Sequence, residues 1–468
     1  MPPLSRGRAG HRSGGRGLAR RDAPARRRNR AGIPTAPSGR AGEFVVADDA
    51  DVDTCALAPL YPAGVQTEPA NARQTFLIQV DGQDAEGITT HILGTLARAG
   101  ASIEDVEQIV IRHHISLNIV AQIPDGRDLL KELLLVGYER GLSIEFEPVD
   151  ATPMRKPTGT IVTVLGQTLE AAELAAVTGV VTNTGGNVDR LERLSKYPAW
   201  SYQLEVTGGD SQALREGLVV LREKFPGMDV AIQPKGLPRR ALRVMVLDVD
   251  RTLVQNEMID ELADLAGVGD QVSELTERAM QGELDFEESL RSRVRLLAGQ
   301  PESILEQGWD RLRLTPGART FIATLRHLGF KIAIVSGGFT SITERLKDEL
   351  GLDYAFANTL EIENGELTGR VQGPIVDRER KAQILHLIAA EEGLATRQIV
   401  AVGDGANDID MLEAAGLGIA FNAKSGVASA ADAELNLPYL DAVLYMLGVR
   451  REDIESEGSL TRDTPPPV

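Results

Sequence analysis

The sequence predicts an α/β protein in which two small βαββαβ units precede a larger parallel sheet with a helical cap. Three observations carry that prediction. Two segments in the first half resemble each other and share one order of strands and helices. In the second half, apolar runs end repeatedly in carboxylates, hydroxyls and glycines, as strands do where they open into a site. A helical stretch interrupts that half directly after its first strand.

At 468 residues the chain is too long for one ordinary domain, and hydrophobic residues make up 42%, enough to fill real cores. The 68 acidic side chains outnumber the 50 basic ones, and the net charge of -18 argues against nucleic-acid partners and anionic membranes. An acidic protein that handles a phosphate must offset repulsion locally, with a metal ion or placed cations. The single cysteine, Cys55, excludes an intrachain disulfide and a cysteine-based zinc site, and a reducing cytoplasm is the natural reading. No apolar run approaches the ~18 residues of a membrane span.

Residues 1–72 read as a disordered tail, rich in Arg, Gly and Pro and poor in large apolar side chains. The stretch SRGRAGHRSGGRGLARRDAPARRRNR lacks the apolar core of a secretory signal. Three readings stand open: a basic tail that touches RNA or acidic partners, an organelle-type transit segment, or a functionless extension. The last is favoured, because the remainder of the chain reads as a self-contained acidic protein.

The first repeat spans 73–150 and the second 158–234. TFLIQV, from Thr75, matches TIVTVL, from Thr160, each followed closely by Gly-Gln; GASIEDVEQ, from Gly100, matches GGNVDRLER, from Gly185. In the first copy GITTHILGTLARAG has helical spacing and stops on Gly100. IEDVEQIVIRHHISLNIVAQI gives alternating strands, GRDLLKELLLVGYERG a second helix, and LSIEFEPV the closing strand. The pattern is a ferredoxin-like sheet with helices on one face. His113 and His114 fall within a predicted strand, facing opposite ways, and read as structural. QPKGLPRR supplies the linker to the second half of the chain.

The repeats resemble a tandem pair of ACT domains, small modules that bind amino acids and often dimerise through their sheets. The turn DGQDAEGI keeps the family's Gly82, Asp84 and Gly87, with Glu86 where Pro is common; LGQTLEAAEL keeps Gly166 and loses the later Gly. The resemblance implies an amino-acid effector site at Gly82, Asp84 and Gly87, and a homo-oligomer.

Residues 241–448 form the catalytic region, with a cap at about 256–315. RVMVLDVDRTLV places Asp248, Asp250 and Thr252 on alternate residues after an apolar run. FKIAIVSGG ends in Ser336 and Gly337, IVAVGDGANDIDML carries Asp404, Asn407 and Asp408, and Lys381 opens the helix KAQILHLIAAEEG. This set suits phosphoryl transfer to a carboxylate. Asp248 is the expected nucleophile. Mg²⁺ would be held by the Asp248 carboxylate, the Asp250 carbonyl and Asp404. Lys381, the Ser336 hydroxyl and backbone N–H groups near Gly337 would hold phosphoryl oxygens. Asp250 would act as acid and then base. Asp408 is expected to orient the metal shell, Asn407 to orient the phosphoryl group, and Thr252 to position the Asp248 loop.

From Leu242 to about Leu447 these motifs resemble the haloacid dehalogenase superfamily, whose core is Rossmann-like, and more closely its phosphoserine phosphatases. One departure is Arg251, where those enzymes usually carry a small residue such as Ser; its side chain is expected to reach solvent or the cap. The helical insert Glu257 to Gly299 reads as a cap that closes over the site and excludes water.

A substrate with an ammonium and a carboxylate needs an anion and a cation beyond the phosphate, and Glu257 and Arg293 provide them, with Met280 and Phe286 as apolar walls. The resemblance places those four residues at the family's substrate-contacting positions. It implies a cytoplasmic, Mg²⁺-dependent phosphatase for O-phospho-L-serine, under feedback by an amino acid. Its rivals are a phosphatase or phosphotransferase for another small ester, and a catalytically silent amino-acid sensor. The tail 449–468 is expected to be disordered.

Overall fold

The structure, a computed structural model, describes residues 74–124, 127–149, 159–281, 283–423 and 425–458. The tail at 1–72, with Cys55, and the last ten residues of the C-terminal tail lie outside them.

The chain divides into two compact units, Met1–Ala151 and Thr152–Val468. The first runs β1 (Gln74–Gln83), α1 (Ile88–Arg98), β2 (Ser102–Ile111), β3 (His114–Ile123), α2 (Arg127–Arg140) and β4 (Leu142–Pro148). Its sheet is ordered β2-β3-β1-β4. Strict alternation along β3 turns Ile115, Leu117, Ile119, Ala121 and Ile123 inward. Ile88, Ile92 and Leu96 of α1, at helical spacing, close the core with Leu129, Leu133 and Val136 of α2.

One expectation fails here. His114 begins β3, but His113 lies in the β2–β3 turn: Arg112 and His113 both have positive φ, 48° and 66°. A two-residue hairpin turn needs that left-handed pair to match the strands' twist. Neither residue is the Gly or Asn that usually marks such a turn, so the sequence concealed it.

The second unit opens with β5 (Gly159–Gly166), α3 (Ala171–Asn183), β6 (Gly186–Ser195), β7 (Trp200–Gly208), α4 (Ser211–Lys224) and β8 (Met228–Pro234). Both repeats therefore have the expected βαββαβ order. The short α5 (Leu237–Arg240) leads into β9 (Val244–Leu247). The cap comes next, as α6 (Met258–Ala266), α7 (Gly269–Met280), α8 (Phe286–Arg295) and α9 (Ile304–Arg311). The core resumes with α10 (Ala318–His327), β10 (Lys331–Phe339), α11 (Thr340–Leu350), β11 (Tyr354–Glu363), β12 (Glu366–Gln372) and α12 (Arg378–Glu391). It ends with β13 (Ile399–Gly403), α13 (Ile409–Ala414), β14 (Leu417–Phe421), α14 (Ser425–Ala428), β15 (Ala433–Leu435), α15 (Val443–Met446) and α16 (Arg451–Ser456).

The second repeat is continuous with the catalytic core. One 11-stranded sheet runs β12-β11-β10-β9-β13-β14-β15-β8-β5-β7-β6, parallel from β11 to β15 and joined to the repeat where Ala433 of β15 pairs with Ala231 of β8. Leu165, Leu194, Ala199 and Ala231 of the repeat share one apolar core with Leu247, Phe321 and Tyr445. Gln233 Nε2 donates to Met446 O at 2.6 Å and Tyr445 Oη to Tyr197 O at 3.0 Å. The sequence reads instead as a repeat and a catalytic region joined by the linker QPKGLPRR. Edge pairing shields a strand's unmet N–H and C=O groups, a tertiary requirement that leaves no periodic mark in sequence.

The expected disorder after Gly448 also needs correction. α16 buries Arg451 and Ile454 and packs near β6, with the Arg451 guanidinium 5.4 Å from the Tyr197 ring centre. Its short amphipathic pattern in an acidic run resembles a solvated tail until the repeat's surface is there to receive it.

Among the described residues, no helix is long and apolar enough to cross a membrane.

Candidate active site

β9 is buried at every position, as a strand covered on both faces must be. Its register pairs Leu247 with Ile334 of β10 on one side and Val402 of β13 on the other. Asp248 and Asp404 therefore leave the sheet close together, and the Asp248 N–H donates to Val402 O at 2.9 Å. The connection after β9 runs to β10 on one side and that after the adjacent β13 runs to β14 on the other, the topological position where open α/β sheets hold ligands.

Asp377 caps α12 by accepting from the Arg380 N–H at 2.8 Å, which sets Lys381 in the helix's first turn facing inward. The Lys381 ammonium is fully buried and donates to Asp248 Oδ1 at 2.5 Å and Asp408 Oδ1 at 2.7 Å. Burial pushes this ammonium down, but Asp248 and Asp408 more than offset it and hold it well above the ordinary lysine value. Burial and then Asp408 push the Asp248 carboxyl up, against Lys381. Asp408 is anchored further by the Gly405 N–H, 2.9 Å from Oδ2. A side chain at Gly403 would collide with it: a Cβ there would lie 2.5 Å from Asp408 Oδ2.

Asp250 accepts from the Met258 N–H at 2.9 Å and from the Ser336 hydroxyl at 3.0 Å. Burial raises its carboxyl above the usual range, and both hydrogen bonds oppose the rise. In this arrangement the Ser336 hydroxyl faces Asp250 and accepts from the Gly338 N–H at 2.7 Å. Gly337 borders the cap: a Cβ there would lie 2.9 Å from the Phe286 ring. Asn358, buried on β11, fixes Gly337 by donating to its carbonyl at 2.8 Å. Thr252 is fully buried, donates to Asp404 Oδ1 at 3.5 Å, and its carbonyl accepts from Thr315 Oγ1 at 2.7 Å.

A cavity of about 890 Å³ lies between core and cap, lined by Asp248, Asp250, Glu257, Phe286, Arg293 and Asn407 among others. Glu257, at the N-terminus of α6, is pushed up to about 7 by burial and by a hydrogen bond with Asp260, with Arg251 opposing. Arg293 on α8 is largely buried and its Nε has no hydrogen-bond partner. Burial lowers its guanidinium below the usual value, against Glu257, Asp260 and Asp250. Met280 ends α7, and its side chain lies outside the described residues. Gly82 is the penultimate residue of β1, paired with Ile115 and Leu142, and Asp84 and Gly87 follow in the turn to α1: the Asp84 N–H donates to His113 O at 2.7 Å and Gly87, φ 81°, precedes α1.

Residues 242–416 match the haloacid dehalogenase-like hydrolase family, and residues 74–147 and 158–233 each match an ACT domain family. A phosphoserine phosphatase of Streptomyces coelicolor is 45% identical over 393 residues, spanning 83% of this chain and 96% of its own length. One from Mycobacterium tuberculosis is 45% identical over 393 residues, spanning 82% and 96%. The chain belongs to the phosphoserine phosphatase family. Among solved structures, a haloacid dehalogenase family hydrolase from Salmonella enterica serovar Typhi matches with TM-score 0.54 at 31% identity, over 61% of this chain and 98% of that one. A probable phosphoserine phosphatase from Vibrio cholerae matches with TM-score 0.50 at 36% identity, over 66% and 91%.

In this member of the phosphoserine phosphatase family, carboxylate oxygens of Asp248, Asp404 and Asp408 lie within 4.8 Å of one another. These are hard oxygen donors of the kind Mg²⁺ takes, and the geometry sorts them. Asp408 has both oxygens engaged, by Lys381 and Gly405, and so has the Asp250 carboxylate, by Met258 and Ser336, whereas Lys381 takes only Oδ1 of Asp248 and Thr252 only Oδ1 of Asp404, so Asp248 and Asp404 each keep an oxygen that could meet a cation. Burial raises Asp404 to about 6, with Asp408 adding to the rise and Lys381 and Arg251 opposing it.

Sequence reasoning missed Asn358, Arg378 and Asn422. Asn358 lies mid-strand in β11, away from the strand ends that marked the site, and carried no signal. Asn422 and Arg378 both line the cavity. Asn422 directly follows β14, so the strand-end rule that found Asp248 and Asp404 would have found it too.

Proposed function

We propose that the protein hydrolyses O-phospho-L-serine to L-serine and phosphate through an aspartyl-phosphate on Asp248, the last step of L-serine biosynthesis, in the cytoplasm. The observation that carries this reading is one cavity bordered by Asp248, held by a buried lysine, and by the unlike-charged Glu257 and Arg293.

Lys381 fixes the orientation of Asp248 for attack on phosphorus and places positive charge where the phosphoryl oxygens gather. Asp250, raised above the usual carboxyl range, carries the proton that the departing alkoxide needs and afterwards takes one from water. The Ser336 hydroxyl and the N–H groups near Gly337 bind phosphoryl oxygens once substrate arrives, and Asn407 orients the group. Glu257 pairs with the ammonium and Arg293, through its unpartnered Nε, with the carboxylate. Phe286 and the cap keep water from these pairs. Asp248, Asp404 and the Asp250 carbonyl would hold Mg²⁺, which when bound neutralises charge between carboxylate and phosphate. The end of β1 and the turn after it in the first ACT domain, with Gly82, Asp84 and Gly87, would take an amino-acid effector, and the repeats would support a homo-oligomer.

Phosphate release from O-phospho-L-serine tests this, beside a panel of other small esters, with Mg²⁺ and with EDTA. Metal-dependent turnover that prefers phosphoserine and is lost in Asp248→Asn is the expected result; activity confined to another ester sinks the substrate assignment. Inhibition by added L-serine tests the effector.

A further inference from the structure

Arg251 stands where the proposed chemistry calls for no cation. Its backbone is left-handed, φ 60°, between two residues of the catalytic loop. Its guanidinium lines the same cavity as Asp248, Glu257 and Arg293, and Nη2 donates to Glu257 Oε2 at 3.3 Å. Arg251 is thus an ion-pair partner to the carboxylate assigned to the substrate's ammonium.

The charges around Glu257 define what that partner does. Asp260 and Asp250 add negative potential, and Arg293 adds positive potential from α8. Arg293 is needed for a substrate carboxylate, so Arg251 is the cation left to neutralise Glu257. An ester without an amino group would otherwise bring its own anions against an unpaired, half-buried carboxylate. Sites built around such a polar contact reject the analogue lacking it by about 10⁴-fold or more. With Arg251 in place, Glu257 keeps an ion-pair partner when the ligand brings no ammonium. The Arg251 side chain is 46% exposed, so an incoming ammonium can displace it into water at little cost.

We propose that Arg251 substitutes for the ligand's ammonium group, so that this active site also hydrolyses small phosphate monoesters that carry a carboxylate but no amine. The inference rests on the phosphoserine reading and extends it. The reaction is the same: the phosphorus–alkoxide bond breaks as phosphorus bonds to Asp248, and Asp250 gives its proton to the alkoxide. Water then attacks phosphorus, returning a proton to Asp250 and freeing Asp248. The products are a hydroxy acid and inorganic phosphate.

The test is steady-state kinetics on O-phospho-L-serine and on 3-(phosphonooxy)propanoate, the same molecule without its amine, for wild type, Arg251→Asn and Arg251→Lys. Asn tolerates the left-handed backbone and Lys keeps the charge. In wild type, kcat/KM for the two substrates should differ by about a hundredfold or less. Arg251→Asn should widen the gap by at least about tenfold, through loss of one charge-assisted contact, and Arg251→Lys should keep the wild-type ratio. An equal ratio in wild type and Arg251→Asn overturns the inference. So does a wild-type preference of about 10⁴-fold or more, which decides the matter even if Arg251→Asn does not fold. Failure of wild type on phosphoserine itself would overturn the underlying reading first, and this one with it.

Discussion

Asp229 on β8 accepts two hydrogen bonds from Asn436, the residue after β15: the backbone N–H at 2.8 Å and the side-chain amide at 2.9 Å. The carbonyls on either side of Asn436 are in turn taken by Asn422, whose N–H donates to Leu435 O at 2.8 Å and whose amide donates to Leu437 O at 3.3 Å. A carboxylate of the second ACT domain thus holds the segment that holds a wall of the catalytic cavity. Asp229→Ala leaves two donors unmet and should lower the stability of the catalytic core by about 2 to 3 kcal/mol. Urea denaturation followed on the core should show that loss, together with a higher KM for phosphoserine; an unchanged midpoint would refute the coupling.

Lys381 bridges two buried carboxylates, Asp248 and Asp408, at 2.5 and 2.7 Å. Removing it by Lys381→Met leaves uncompensated charge in the core and should cost about 3 to 5 kcal/mol. kcat should fall by about 10² to 10³, the effect of losing one preorganised cationic donor. Parallel chemical denaturation and kinetics check both.

Glu257 gives activity an acid limb. Burial and then Asp260 raise it from 4.5 to about 7, so it is largely protonated at pH 6 and charged at pH 8. Pairing with the substrate ammonium is therefore strongest above pH 7 and lost as pH falls through it. For folding the sign is opposite: a raised carboxyl stabilises the native state fully below pH 4.5, and that contribution disappears as pH rises through 7. The pH profile of kcat/KM should show the limb in wild type. Glu257→Gln should flatten it and raise KM more than it lowers kcat.

Cation binding should compete with protons at Asp404, whose carboxyl is raised to about 6 by burial and Asp408. Added Mg²⁺ should raise the melting temperature at pH 7.5, less so below pH 6, and not at all in Asp404→Asn. Differential scanning fluorimetry over a Mg²⁺ series reads this without any turnover. An equal shift in Asp404→Asn would remove Asp404 from the cation site.

Much of the fold was legible because its signals are local. The βαββαβ order of both repeats follows from period-two strands and helical spacing, as in Ile115 to Ile123 and in Ile88, Ile92 and Leu96. The meeting of Asp248 with Lys381 and Asp404 was legible because strand ends and helix starts converge in a parallel sheet. The turn at Arg112 and His113 was not, because its left-handed backbone is imposed by the paired strands on residues that do not advertise it.

By itself, then, the sequence determined the order of strands and helices in both repeats, the hydrolase family and the residues that meet at the cavity, since periodicity and motif order are properties of neighbouring residues along the chain. Only the tertiary structure decided the joining of β8 to β15, the folding of α16, the clamp from Asp229 through Asn436 to Asn422, and the pairing of Arg251 with Glu257. Each depends on which surfaces and charges are brought together in space, and burial then sets how strongly those charges must be paired.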